Sequence, residues 1–390
     1  MSVPSIRVNN YVGKDKYSFE VLTKMYIIFG WLIGTNRLSV IWDRSFKIAG
    51  FCYTLVFNCL LLYFIVINTN GDMMIVLNVM QYYFCLLCAI VCSKTLQSFY
   101  YEMFKVDQEI KLNYSLSLNC KVNFIQCVCL ILYTVMYNTV LNIIEGVVYL
   151  SPDLMFVLTN YILECHYYGH LFGLLQTRIS SIRILLSYSY PINNNEIHCP
   201  VEKEFVIYKT GNVELQNEKF IMDIRKLMHL YYAIVKAYDF LNAAIRWQLL
   251  VIVVTTFLTD LNLSYYTVLN VKENKYNWRI LIHEIGIIVA VVLPMVAPCV
   301  FGQRLQNEVQ LLQNSLYTRI HKNGFDKTTR SVANYFLALT EARSLTFSLF
   351  RMFEINLSLF FKSLKLLISY VVIILQFQKV LNDDTSNVKN

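Results

Sequence analysis

The sequence predicts an all-α, polytopic membrane protein with about seven transmembrane helices, its amino terminus cytoplasmic and its carboxy terminus extracellular. Three observations predict the class. Of 390 residues, 56% are hydrophobic and only 15% are charged, whereas soluble domains carry about 25% charged residues. The apolar residues gather in runs of about twenty, the length a helix needs to cross a bilayer. These runs lack the period-two alternation of a barrel strand, which leaves helices as the spanning device. Abundant Tyr and Phe suit interfacial belts and aromatic packing. The formal charge of +8 sits in connecting segments and serves topology, so nucleic acid is not an expected partner.

Roughly the first forty residues are mixed and basic, without the compact apolar core and cleavage site of a secretory leader. The first span, near residues 48–67, is therefore expected to be its own anchor. The second runs near 74–92, the third covers 122–144 and the fourth 154–175. The fifth covers 247–269 and the sixth 280–301, with Pro294 and Pro298 inside it. Proline removes a backbone bond and crowds the preceding turn, so a bend is expected there. The seventh, 353–377, is the least apolar. Cys85, Cys88 and Cys92 recur at helical spacing in the second span. No partner cluster follows them, and small thiols pack well between helices. No cysteine falls in an outer loop, which argues against a disulfide framework.

Basic residues set the orientation. Arg7, Lys14, Lys16, Lys24, Arg37, Arg44 and Lys47 precede the first span, and Lys94, Lys105, Lys111 and Lys121 follow the second. Arg178, Arg183, Arg225, Lys226 and Lys236 follow the fourth, and Arg304, Arg319, Lys322, Lys327, Arg330, Arg343 and Arg351 the sixth. The short turns 69–72 and 146–153, on the opposite side, hold no Lys or Arg. The basic side is the cytoplasmic one. Its loops are long and helical in pattern: Leu311, Leu312, Leu316, Tyr317 and Ile320 recur at helical spacing before the turn His321-Lys322-Asn323-Gly324. A second helix from about Thr329 is expected to run straight into the seventh span. The sequon Asn113-Tyr114-Ser115 falls on the inner side and should stay unmodified. No internal repeat and no linker divides the chain, so residues 1–390 read as one domain. Within it, 1–47 is a cytoplasmic segment, 48–301 holds six spans and a pocket, and 302–351 is a cytoplasmic helical assembly region. Residues 352–377 form the seventh, pore-lining span and 378–390 an extracellular tail.

Two groups of residues carry candidate function. The seventh span holds Glu354, Asn356, Ser358, Lys362, Ser363, Lys365, Ser369, Tyr370 and Gln376. A glutamine deep in an apolar segment is costly unless it faces protein or water. Asn356, Ser363 and Tyr370 are seven apart, as are Ser369 and Gln376, which defines two neighbouring stripes. Such a helix either lines a wet path or packs at the centre of a bundle. The second group lies in the outer halves of the spans: Asn142 and Glu145, Asn160 and Glu164, Asp260 and Tyr265, His283 and Glu284. Carboxylates this numerous at membrane depth need partners or water, and a small-molecule pocket is one way to supply them. His166 and His170 are four apart, but no third metal ligand accompanies them. No nucleotide loop, catalytic triad or zinc motif is present, so neither an enzyme nor a cofactor is expected.

The run Ser369-Tyr370-Val371-Val372-Ile373-Ile374-Leu375-Gln376-Phe377 resembles the carboxy-terminal signature of insect gustatory receptors, with serine in place of the usual threonine. Phe353-Glu354-Ile355-Asn356 resembles the family's approach to that helix. The resemblance implies a ligand-gated, non-selective cation channel in the plasma membrane of sensory neurons. It implies a homotetramer, or a heteromer with other gustatory receptors, around a pore lined by Ser369, Tyr370, Ile373, Ile374, Gln376 and Phe377. A tastant, by family habit a bitter or other plant-derived small molecule, would sit among the outer parts of the remaining helices. Membrane lipid and permeating cations complete the expected partners. The alternatives are an odorant receptor channel of the same superfamily, a seven-span G-protein-coupled receptor, a transporter and an intramembrane enzyme. The predicted inner amino terminus argues against the second of these.

Overall fold

The computed structural model describes residues 16–35, 37, 44–68, 73–110, 118–145, 152–189, 223–272, 278–321, 327–350 and 352–387. In chain order the elements are α1 (Lys16–Leu32), α2 (Arg44–Asn68), α3 (Met73–Val91), α4 (Ser93–Ile110) and α5 (Leu118–Glu145). Then come α6 (Pro152–Ser189), α7 (Ile224–Lys272), α8 (Trp278–His321) and α9 (Lys327–Ala342). A two-stranded antiparallel hairpin, β1 (Ser348–Leu349) and β2 (Phe353–Glu354), leads into α10 (Leu357–Asn387).

The expected spans fall on α2, α3, α5, α6, α7, α8 and α10. By length and hydropathy alone, Ile48–Ile67, Ile224–Tyr265 and Leu357–Ile374 qualify among the described residues, and α3 with α4, bent by 60° at the break, makes a fourth. The shortfall has a visible cause in α6. It is buried on nearly every side and carries Glu164, His166 and His170, so it needs no lipid-facing stripe and shows no apolar periodicity. The helix α2 is the opposite case. It turns Phe51, Leu55, Leu60, Tyr63, Phe64, Val66 and Ile67 outward, as a lipid-facing surface does.

α6 is the axis of the bundle. Helices α1, α2, α3, α5, α7 and α8 all pack on it, the last most extensively. Gly169 lets α6 and α8 approach closely, since a Cβ there would meet the Phe301 ring at 3.2 Å and the Ala297 backbone at 3.4 Å. α8 runs as one helix through Pro294 and Pro298. At 49 residues α7 is about 74 Å long, more than twice the hydrocarbon thickness of a bilayer. α8, at 44 residues, is about 66 Å. Their surplus builds a second layer away from the membrane. There α8 buries Leu305, Val309, Leu312, Leu316 and Ile320, and α9 brings Ala333, Phe336 and Thr340 against the same core. Of the inner-helix residues expected at helical spacing, Leu312, Leu316 and Ile320 are buried while Leu311 and Tyr317 face outward.

Two expectations need correction. α9 does not run into the last span: the helix ends at Ala342 and the β1–β2 hairpin intervenes. The physical reason is the local sequence. Phe347 and Leu349 are drawn into the core, Ile355 N–H donates to the Phe347 carbonyl at 2.8 Å, and Phe350 turns the hairpin at φ 53°. Asn356 therefore belongs to no stripe. Its Oδ1 accepts from Leu359 N–H at 3.1 Å, and it caps α10. Within 1–47, α1 packs on α6 and Arg37 is buried inside the bundle. The segments 69–72, 111–117, 146–151 and 322–326, which include the two outer turns in large part and the inner sequon, lie outside the described residues.

Candidate functional site

The polar side chains of α6 do not point at one another. Glu164, Tyr167 and Tyr168 share Arg37, and the others engage separate neighbours. Glu164 Oε2 accepts from Arg37 Nη2 at 2.6 Å, with both residues buried. The Arg37 guanidinium also lies 4.5 Å over the Tyr167 ring and donates to the Tyr168 hydroxyl at 3.3 Å. Tyr168 donates to Gln248 Oε1 at 2.7 Å, and Gln248 Nε2 donates to the Cys85 carbonyl at 3.2 Å. The Tyr167 hydroxyl meets that of Tyr100 on α4 at 3.0 Å. His166 Nδ1 lies 2.8 Å from Asn123 Oδ1 on α5, and His170 Nε2 3.1 Å from Thr23 Oγ1 on α1. Two turns later, Arg178 forks onto Asp107 of α4, Nε to Oδ1 at 3.0 Å and Nη2 to Oδ2 at 2.9 Å. These contacts fix the register of the surrounding helices on α6. They also separate the two histidines, and among the described residues no group of three metal-ligating side chains forms.

Beside this network lies a small cavity between α3 and α6, lined by Asn78, Gln81, Tyr82 and Cys85 on one side and Val157, Asn160, Tyr161 and Glu164 on the other. Its volume is about 10 Å³, room for one water rather than for an organic molecule. Admitting a larger ligand requires α3 and α6 to part. The lining suits a polar organic ligand. Asn160 Oδ1 is buried and lacks a hydrogen-bond partner among the described residues, and a buried acceptor left bare is costly until something donates to it. Gln81 is held from the other side by the hydroxyl of Thr255 on α7. Tyr161 connects the cavity to two further helices, donating to the Val291 carbonyl of α8 at 2.6 Å and accepting from Thr256 of α7 at 3.1 Å.

Of the residues expected to bind ligand, the structure brings Asn160 and Glu164 together in this cavity. Glu164 is not a free carboxylate there, because Arg37 neutralises it. Asp260 is buried elsewhere, in a groove between α7, α8 and α10. Tyr265 faces outward at 43% exposure and lines neither space. Asn142 and Glu145 fall on α5, and His283 and Glu284 on α8, with side chains outside the described residues. Asn78, Gln81, Tyr82 and Cys85 are site residues that the sequence reading missed. Their spacing of three to four on an otherwise apolar helix was a readable signal. Nothing local marked Arg37.

On the last helix, Ser369, Tyr370, Ile373 and Gln376 are exposed and Ile374 is half-buried. The side chain of Phe377 lies outside the described residues. The Ser363 and Ser369 hydroxyls donate to their own helix, to the Phe360 carbonyl at 2.8 Å and the Lys365 carbonyl at 2.9 Å. Lys362 and Lys365 are exposed. Between Leu357 and Ile374 only Leu367 is fully buried; Leu359 and Phe360 are half-buried against the core, and most of the other side chains are exposed. Among the described residues α10 packs chiefly on α7 and α8.

Residues 36–381 match the 7tm Chemosensory receptor family. No curated protein matches the chain. The fold is similar to the insect olfactory receptor OR5 from Machilis hrabei in complex with eugenol, with a TM-score of 0.61 and 12% identity over 92% of this chain and 100% of that one. A second structure of the same olfactory receptor superposes with a TM-score of 0.60 and 11% identity over the same shares.

Proposed function

Since the chain belongs to the 7tm chemosensory receptor family, a family of non-enzymatic multi-pass receptor channels, we propose that it is a gustatory receptor gated by a small tastant. In this reading it conducts cations without strong selectivity in the plasma membrane of sensory neurons, as a homotetramer or with other gustatory subunits. The observation that carries the proposal is the bare flank of α10. A helix of 31 residues with a polar stripe, packed on one flank and exposed on the other, must find partners for its exposed flank in lipid or in other copies. Lipid satisfies the leucines, and Ser369 bonds its own helix, but lipid does not satisfy Tyr370 and Gln376. Copies arranged about a hydrated axis satisfy both, and they put these residues, with Ile373, Ile374 and Phe377, around the pore.

The ligand reading draws support from the α3–α6 cavity and from the neighbouring olfactory receptor, whose structure holds eugenol. Binding would open the channel only by favouring the open state over the closed one. Tyr161 gives a short physical route, since it lines the cavity and holds both helices on which α10 rests. An odorant-receptor reading is favoured by the two structural likenesses. The Tyr370, Gln376-Phe377 ending favours the gustatory one.

The test is ligand-evoked current in cells expressing this chain alone and together with candidate co-subunits, screened against bitter plant compounds and volatile odorants. Cation current evoked by non-volatile tastants supports the reading. Responses confined to volatiles would move the chain to the odorant branch, and stoichiometric uptake without current would make it a transporter.

A further inference from the structure

A second space, distinct from the α3–α6 cavity, lies where α10 rests on α7 and α8. Its volume is about 40 Å³, enough for a head group and its first methylenes. Leu364, which lines it, is exposed, so the groove is open along α10. The walls are apolar and partly aromatic, with Phe257 from α7, Met295 from α8 and Phe360 from α10. Into this setting α7 places Asp260, only 7% exposed, whose Oδ1 has no hydrogen-bond partner among the described residues. The two hydroxyls in the groove do not serve it. Thr256 donates to the Tyr161 hydroxyl at 3.1 Å, and Ser363 donates to the Phe360 carbonyl at 2.8 Å.

A buried carboxylate in apolar surroundings is costly unless a cation or donor meets it. A metal ion is a poor occupant, because it requires several oxygen ligands and the groove frees only the carboxylate. An ammonium is a good one: it donates to the bare oxygen, cancels the charge and gains from the aromatic faces. We propose that this groove binds a protonated amine carried on a small apolar body, the ammonium on Asp260 and the body against Phe257, Met295 and Phe360. One wall of the site is the last helix, so an occupant wedges or seals the contact between α10 and the bundle. That this changes channel opening rests on the function proposed above; the binding itself does not.

The test uses the full chain in neutral phosphatidylcholine nanodiscs, with hexylammonium and hexan-1-ol as probes of equal length, titrated calorimetrically against empty discs. Hexylammonium should bind the wild type about tenfold or more tightly than hexanol. Asp260→Asn should bring the two affinities within about twofold while leaving hexanol unchanged, and Asp260→Glu should keep the preference. Equal affinities in the wild type, or a preference that survives in Asp260→Asn, overturn the site. Current recordings on the same proteins separate the two proposals. Charge-dependent binding in a chain that never conducts leaves the site and removes the channel, whereas current without charge-dependent binding leaves the channel and removes the site.

Discussion

Arg37 and Glu164 meet at 2.6 Å inside the bundle, and the consequence of breaking that pair is asymmetric. Removing the arginine alone strands a buried carboxylate, so Arg37→Met should destabilise the protein by about 3–5 kcal/mol. Replacing both, as Arg37→Met with Glu164→Leu, should recover most of the loss, because two apolar side chains need no partner. Thermal unfolding followed by size-exclusion chromatography reads both outcomes, and a double variant no better than the single one would show that the pair does more than neutralise itself. Tyr161 and Gln376 should separate binding from conduction. Tyr161→Phe deletes the donor to Val291 and the acceptor for Thr256, bonds worth about 1 kcal/mol each. The dose-response midpoint should move severalfold while single-channel conductance stays put. Gln376→Ala should do the reverse, altering conductance or ion selectivity more than the midpoint. A Gln376→Ala channel with only a shifted midpoint would displace that residue from the pore.

At the scale of elements, the join between the two layers depends on a backbone crossing. Gly302 of α8 lies against the carbonyl of Ile355, in the link between β2 and α10, so closely that any Cβ there collides with it. The obstacle is main chain and cannot rotate away. Gly302→Ala should therefore push the β1–β2 hairpin and the first turn of α10 off α8. We expect loss of assembled protein and a stability penalty of about 1–3 kcal/mol, the usual cost of overpacking. Normal yield and unchanged melting would show that the hairpin yields freely. The elements themselves differed in how plainly they were written. α2 could be placed from its apolar run alone, because its outward face meets only lipid. The break before α10 could not, since helical spacing continues on both sides of it. What ends α9 is the burial of Phe347 and Leu349 against distant residues, which no local pattern carries.

On the scale of the whole molecule, one uncovered helix asks for an assembly. Particles in lipid should contain several copies, four on the proposed plan, with α10 of each facing a common axis. Dispersed single subunits with α10 in lipid would remove the pore. A tag on the amino terminus should be inaccessible on intact cells, in keeping with the basic residues of the inner loops. By itself the sequence determined that the chain is an all-helical multi-pass membrane protein. It also marked the final helix as polar where lipid would not have it. Length and hydropathy decide these things residue by residue, because the bilayer imposes the same solvation cost on every chain. Only the tertiary structure decided that Arg37 neutralises Glu164, that Asp260 lies apart from the α3–α6 cavity, and that α6 is the axis on which the others are registered. Those outcomes turn on which side chains meet across separations of 43 to 147 residues, and the energy of a buried charge depends wholly on what it meets.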